Sequence, residues 1–217
     1  MQCVPRLEPR NKTIHSTRNQ MTMSSDHPSR MGHPRESSTA PSTAPIYQTT
    51  AFDVGDLDVL QGIHAGTIQG DIYTRDSNPN HSALAESIAS LEGVEAGAVF
   101  ASGMGALGSI FLTLASAGDH VILASALYGK TIQLANRMQK QFGITISTFD
   151  ATKSESLREA ISDKTRFVLI ETVSNPLLEV ADIQAIASIL PPDIPLVVDS
   201  TFTSPMLIRP CQLGASI

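Results

Sequence analysis

The chain has 217 residues, of which 41% are hydrophobic and 17% charged, with a formal net charge of −6. That is enough for a real core in one large domain. Residues 1–40 carry six Lys/Arg against three Asp/Glu, so the remainder carries nine against eighteen, and an acidic body of this kind argues against a nucleic-acid surface. The two cysteines, Cys3 and Cys211, offer neither a disulfide framework nor metal-ligand spacing. Both are expected to be free thiols in a reducing, cytoplasmic setting with no bound metal. The longest apolar run, near Ile110 to Ala117, is far shorter than the roughly 20 residues a bilayer span requires, so a soluble protein without a membrane partner is expected.

In chain order, residues 1–40 are rich in Arg, Ser, Pro and Asn without helical or strand periodicity and read as a disordered N-terminal extension. Glu8, Asp26 and Glu36, with no convincing amphipathic face, argue against a transit peptide, while Met21, Met23 and Met31 leave the true start methionine open. Residues 41–80 are loop-like, rich in Gly and Pro, and too few for a core of their own, yet they hold Tyr47, Tyr73 and Arg75. An extended arm of this type is stable only when it lies on its own domain or on a neighbouring subunit.

From residue 81 the pattern becomes regular. A helix over HSALAESIASLEG, with Leu84, Ile88 and Leu91 at helical spacing, leads to a strand GAVFA and a helix from Gly103 to about Ala117. Strand HVILA, helix TIQLANRMQKQFG closed by Gly143, strand ITISTF, helix SESLREAIS, strand RFVLIE, helix ADIQAIASIL and strand PLVVD follow. Short β-branched runs alternating with amphipathic helices predict an α/β fold with a mostly parallel sheet covered on both faces. Ligands of such sheets bind at the carboxyl ends of the strands.

Several residues fall at those ends. GMGALG, between GAVFA and the next helix, is a G-x-G-x-x-G sequence whose helix amino terminus suits a phosphate. A dinucleotide site also wants an acidic residue closing the next strand, where HVILA instead ends at Ala124 and Ser125. A smaller phosphate ligand, or glycines packed for close helix-to-strand approach, remain open. Tyr128 follows HVILA, Glu171 and Asn175 follow RFVLI, and Asp199 ends PLVVD. An aromatic face, a carboxamide and a carboxylate suit a planar heterocycle, whereas singly they read as a packing residue, an Asn-Pro turn and a helix cap.

Read together, PIYQTTAF, YTRDSNPN, ASGMGAL, LYGKT, ETVSNPLLEVADI and VVDSTFTSP resemble the successive signatures of the Cys/Met-metabolism enzymes that use pyridoxal 5'-phosphate. These are the cystathionine γ-synthases, cystathionine β- and γ-lyases, methionine γ-lyases and homoserine-ester sulfhydrylases. The resemblance covers residues 45–217 and implies a fold-type I large domain over 81–217, incomplete and without its small C-terminal domain, in an enzyme that is usually a homotetramer built as a dimer of dimers. By the same resemblance, Tyr73 and Arg75 in the 41–80 arm reach the cofactor phosphate of a neighbouring subunit. Ser102, Gly103 and Met104 form the phosphate-binding turn. Tyr128 stacks on the ring and assists proton transfer, Asn175 sits at the ring hydroxyl, Asp199 pairs with the ring nitrogen, and Thr201 supports that end. Ser200, where the family more often has Asn, and Lys130, where a small residue or Cys is common, depart from the pattern, and Lys130 reads as a solvated rim residue.

The implied activity is elimination or replacement at Cβ or Cγ of an amino-acid substrate such as cystathionine, methionine or an activated homoserine. The family's Schiff-base lysine follows the ring-nitrogen Asp by some two dozen residues, and here no Lys follows Lys164. A truncated form lacking that lysine, with an uncovered sheet edge and poor solubility, is therefore expected. A non-catalytic remnant or interaction fragment, and more remotely a dinucleotide-binding domain, are the rival readings.

Overall fold

The computed structural model describes residues 43–217, so the extension expected over 1–40 lies outside the described residues. They fall into two units, 43–83 and 84–217. In the first, Ala51 and Tyr73 face each other in an antiparallel bridge, closed by bonds from Phe52 N to Ile72 O (3.0 Å) and Thr74 N to Thr50 O (2.9 Å). The segment expected to be loop throughout contains a two-turn helix, α1 (Leu57–His64). Asp56 makes it possible, because its carboxylate accepts from Val59 N at 2.8 Å and satisfies an otherwise unpaired first-turn donor. No residue of α1 is fully buried, consistent with a segment that has no core of its own. Helix α2 (Pro79–Glu92) carries the boundary between the units. Of α2 only Ala89 is buried, and the Leu84, Ile88 and Leu91 stripe expected to face a core lies on the surface.

The second unit holds a four-stranded, wholly parallel sheet in the order β2-β1-β3-β4: β1 His120–Ala124, β2 Thr145–Phe149, β3 Thr165–Glu171 and β4 Leu196–Asp199. Central β1 is buried at every position and β3 at all but Arg166, which is why both read as near-continuous apolar runs. Helix α3 (Gly103–Leu114) packs beside α4 (Gly129–Phe142), and α4 ends at Gly143, whose φ of +71° only glycine adopts without strain. Helix α5 (Ile183–Ile189) packs against two 3-10 turns, Ser154–Leu157 and Pro210–Leu213. Phe111 of α3 and Phe167 of β3, both 0% exposed, meet edge-to-face with ring centroids 5.1 Å apart.

Two expected elements differ. SESLREAIS forms only the short 3-10 turn, in which Leu157 is the one fully buried residue and Ser156 Oγ competes for local backbone carbonyls by donating to Lys153 O at 2.7 Å. GAVFA is not a strand: Ala98, Val99 and Phe100 make no backbone hydrogen bond among the described residues. Strand propensity needs a paired neighbour to become a strand. Between this segment, α3 and β4 lies a groove of about 570 Å³ lined by Phe100, Ile110, Leu114, Val198 and Ile217. The β4 edge there is paired rather than uncovered as expected, since Val198 N donates to Ile217 O at 2.9 Å and Ser216 N to Leu196 O at 2.8 Å.

Because Phe111 is fully enclosed, Phe111→Ala should destabilise the fold by about 3–5 kcal/mol. Urea denaturation checks this, and a loss below about 1 kcal/mol would contradict the placement of the core.

Candidate functional site

The order of winding decides where a ligand fits. From β1 the chain passes through α4 to β2 on one side, then crosses back to β3 on the other side of β1 and continues outward through α5 to β4. With right-handed crossovers, that reversal puts α4 and α5 on opposite faces, so the loops leaving the carboxyl ends of β1 and β3 diverge and leave a crevice between them. A cavity of about 400 Å³ opens there, within the range of small-molecule sites. Its lining is Ser102, Gly103, Met104, Leu107, Tyr128, Glu171, Val173, Asn175, Asp199, Thr201 and Phe202.

Seven of the nine residues singled out in the sequence are thus brought together: Ser102, Gly103, Met104, Tyr128, Asn175, Asp199 and Thr201. The other two belong to the unit 43–83, where the Arg75 guanidinium lies 5.0 Å from the Tyr73 ring centroid and 3.5 Å from Asp76 Oδ1. Lys130 is not among the lining residues; its exposed Nζ donates to Gln133 Oε1 at 3.2 Å. Ser200 Oγ is engaged with Thr203 Oγ1 at 2.6 Å.

At one end of the cavity stands the amino terminus of α3. Ser102 caps it, its hydroxyl accepting from Gly105 N at 3.0 Å, while the amides of Gly103 and Met104 donate to no acceptor among the described residues. A Cβ built on Gly103 would meet nothing within 4 Å. Open space above two unpaired N–H groups at the positive end of a twelve-residue helix is what an anionic group needs. The packing alternative for these glycines fails at Gly103 and Gly108, where there is free room; only Gly105 is tight, 3.2 Å from Ser102 Oγ. The dinucleotide reading loses its structural context too, because the segment before the turn is not a strand.

At the other end, Asp199 Oδ1 accepts from both Thr201 N and Thr201 Oγ1, which closes a local turn; no helix follows for it to cap, so the helix-cap alternative does not hold. The turn uses one oxygen only, and Oδ2 accepts no hydrogen bond among the described residues. The Asn175 carboxamide likewise has no partner there, and the Tyr128 ring, at the start of α4, is 43% exposed. An anion cradle, an exposed aromatic face, an unengaged carboxamide and a half-engaged carboxylate around one cavity fit a flat heterocycle with an anionic tail.

Glu171, which the family resemblance does not assign to the site, also lines the cavity. This residue ends β3 in register with Asp199 of β4, and since neighbouring strands at one register position project to the same face, both carboxylates enter the cavity. Glu171 Oε1 accepts from Tyr128 N at 2.7 Å and Oε2 from Asn175 N at 3.0 Å. Burial pushes its pKa above the ordinary glutamate value; the two backbone bonds oppose that rise and the nearby Asp199 charge adds to it. The available signal was a carboxylate at the end of a strand whose other residues are apolar. Val173, Leu107 and Phe202 carried no such signal. At the opposite end of the sheet, His120 Nδ1 sits 2.9 Å from Thr165 Oγ1, and burial lowers its pKa; this pair is packed under the strand starts, away from the cavity.

A carboxyl whose folded pKa is raised contributes stability that is present below its unfolded value, near 4.5, and lost as pH rises through the folded value. The wild-type chain should therefore lose stability relative to Glu171→Gln between about pH 4.5 and neutrality. Urea midpoints of the two proteins at pH 4 and pH 7 test this. A difference independent of pH, or one that grows in favour of the wild type, would contradict it.

Over residues 29–217 the sequence matches the family described as Cys/Met metabolism PLP-dependent enzyme. It is 37% identical over 175 residues to an L-methionine gamma-lyase of Pseudomonas deceptionensis, covering 80% of this chain and 44% of that protein. It is 40% identical over 176 residues to a cystathionine beta-lyase of Lactococcus lactis subsp. cremoris, covering 81% and 44%. Among solved structures, a Campylobacter jejuni protein described as a candidate O-acetylhomoserine (thiol)-lyase, crystallised with N'-pyridoxyl-lysine-5'-monophosphate, superposes with a TM-score of 0.75 at 35% identity, covering 80% of this chain and 43% of that one. The chain spans less than half the length of these relatives.

Proposed function

Since this chain belongs to the Cys/Met metabolism PLP-dependent enzyme family, we propose that its cavity binds pyridoxal 5'-phosphate and serves carbon–sulfur chemistry at Cβ or Cγ of a sulfur amino acid or an activated homoserine. One observation carries the reading: the free Gly103 and Met104 amides, the Tyr128 ring, the Asn175 carboxamide and Asp199 Oδ2 all border one cavity. Bound there, the cofactor supplies a protonated pyridine ring that takes up the electron pair left when a bond at the amino-acid Cα breaks.

The chain's own groups divide the work of binding. Gly103 and Met104 hold the phosphate on their N–H groups, with Ser102 keeping the helix end in shape. Tyr128 covers one ring face and offers its phenolic oxygen as a place to hold or pass a proton. Asn175 donates from its amide nitrogen to the ring hydroxyl. Asp199 keeps a proton on the ring nitrogen through Oδ2, while Thr201 fixes the carboxylate by binding Oδ1. Tyr73 and Arg75 are assigned to the phosphate of a neighbouring subunit's cofactor, where the planar guanidinium fork suits a dianion. A homo-oligomer is part of the same reading; the exposed Leu84, Ile88 and Leu91 stripe supports it. So is a cytoplasmic setting. Among the described residues no helix is long and apolar enough to cross a membrane.

No lysine is among the residues lining the cavity, and none follows Lys164 in the 217 residues. That observation favours a second reading for the 217 residues alone, a cofactor-binding fragment without turnover. Elimination and replacement are to be separated by assaying a version extended to the relatives' length with cystathionine, methionine and acylated homoserine.

Titrating the purified chain with pyridoxal 5'-phosphate, followed by the cofactor's absorbance and fluorescence, tests the binding claim. Saturable binding is expected, with Asp199→Ala weakening it about tenfold or more through loss of a charge-assisted bond, and with no competition by NAD. Absence of saturable binding, or binding indifferent to Asp199→Ala, would overturn the assignment.

A further inference from the structure

We propose that Glu171 is a positioning residue whose carboxylate clasps the loops after β1 and β3 together, fixing Tyr128 and Asn175 at the separation the cavity needs. The proposal rests on the cofactor reading above and concerns how the site keeps its shape. The two loops leave neighbouring strands and turn to opposite faces, so no ladder of backbone bonds ties one to the other beyond the strand ends. Glu171 supplies the missing tie. It is 7% exposed, and it accepts Tyr128 N with one oxygen and Asn175 N with the other, reaching residues 43 positions before it and 4 positions after it.

Neither amide has another acceptor among the described residues, so removing the carboxylate leaves two donors unpaired at the mouth of the crevice. The effect of Glu171 passes through Tyr128 and Asn175, the two groups assigned to the ring. Burial penalises the ionised carboxyl, so near neutral pH this residue stabilises the fold less than it does when protonated. A glutamine of the same shape avoids that penalty. What glutamine lacks is a second acceptor oxygen, and two acceptors are what the clasp uses.

The test uses the full 217-residue chain and Glu171→Gln. Amide hydrogen exchange at Tyr128 and Asn175 should quicken about tenfold at one or both sites, while exchange in the interiors of β1 and β3 stays unchanged. Affinity for pyridoxal 5'-phosphate should fall about tenfold, and the induced circular dichroism of the bound ring should shrink. Unchanged exchange at both amides overturns the proposal. So does faster exchange with unaltered affinity and dichroism, which would mark a clasp without bearing on the ligand. If Glu171→Gln does not fold, Glu171→Asp is read in its place: its carboxylate, one methylene shorter, reaches at most one of the two amides, and the same outcomes decide. A wild-type chain that shows no saturable binding sinks the cofactor reading, and the exchange rates at Tyr128 and Asn175 then decide the clasp on their own.

Discussion

The reversal of winding between β1 and β3 is the constraint from which the site follows. A parallel sheet that always wound in one direction would send every loop to the same side and close its carboxyl edge. Here β2 and β3 lie on opposite sides of β1, so the Tyr128 loop and the Asn175 loop part company immediately after adjacent strands. The gap cannot be filled by backbone, and it falls beside the amino terminus of α3 and the end of β4. Four segments distant in sequence thereby line the same small volume.

The edges of this cavity are held by short-range polar contacts rather than by the core. Ser102 completes α3 without consuming the amides of Gly103 and Met104. Thr201 orients Asp199 and leaves its second oxygen available. Glu171 spans the gap at the expense of keeping a carboxylate out of water, against which the Phe111–Phe167 contact and the buried β1 and β3 faces provide the stabilisation. Such an arrangement is preorganised: the donors and acceptors face the cavity before anything enters it, which lowers the ordering cost of binding.

Much of this was legible in the sequence, and for identifiable reasons. HVILA and RFVLIE read correctly because strands buried on both faces leave unbroken apolar runs, and Gly143 marked the end of α4 because a left-handed residue is needed there. The strand-end positions of Tyr128, Asn175 and Asp199 followed from the general rule for open α/β sheets. Three features were hidden. GAVFA has a strand's composition, but whether it pairs depends on what lies beside it, which local pattern does not encode. The helix-like periodicity of SESLREAIS competes with serine hydroxyls that bond the backbone locally. Glu171 is visible in the sequence only as an acid at a strand end, because its partners, two backbone amides on different loops, appear only once the chain has crossed over.

The central claim is that one flat heterocycle with an anionic tail fills the crevice between β1 and β3. Adding pyridoxal 5'-phosphate to the ¹⁵N-labelled chain and following backbone amide resonances tests it most directly. The account predicts that Gly103, Met104, Tyr128, Asn175 and Thr201 shift together along a single saturation curve while Val121 and Phe167, deep in the sheet, stay in place. Shifts scattered over other surfaces, or none at these five positions, would contradict it.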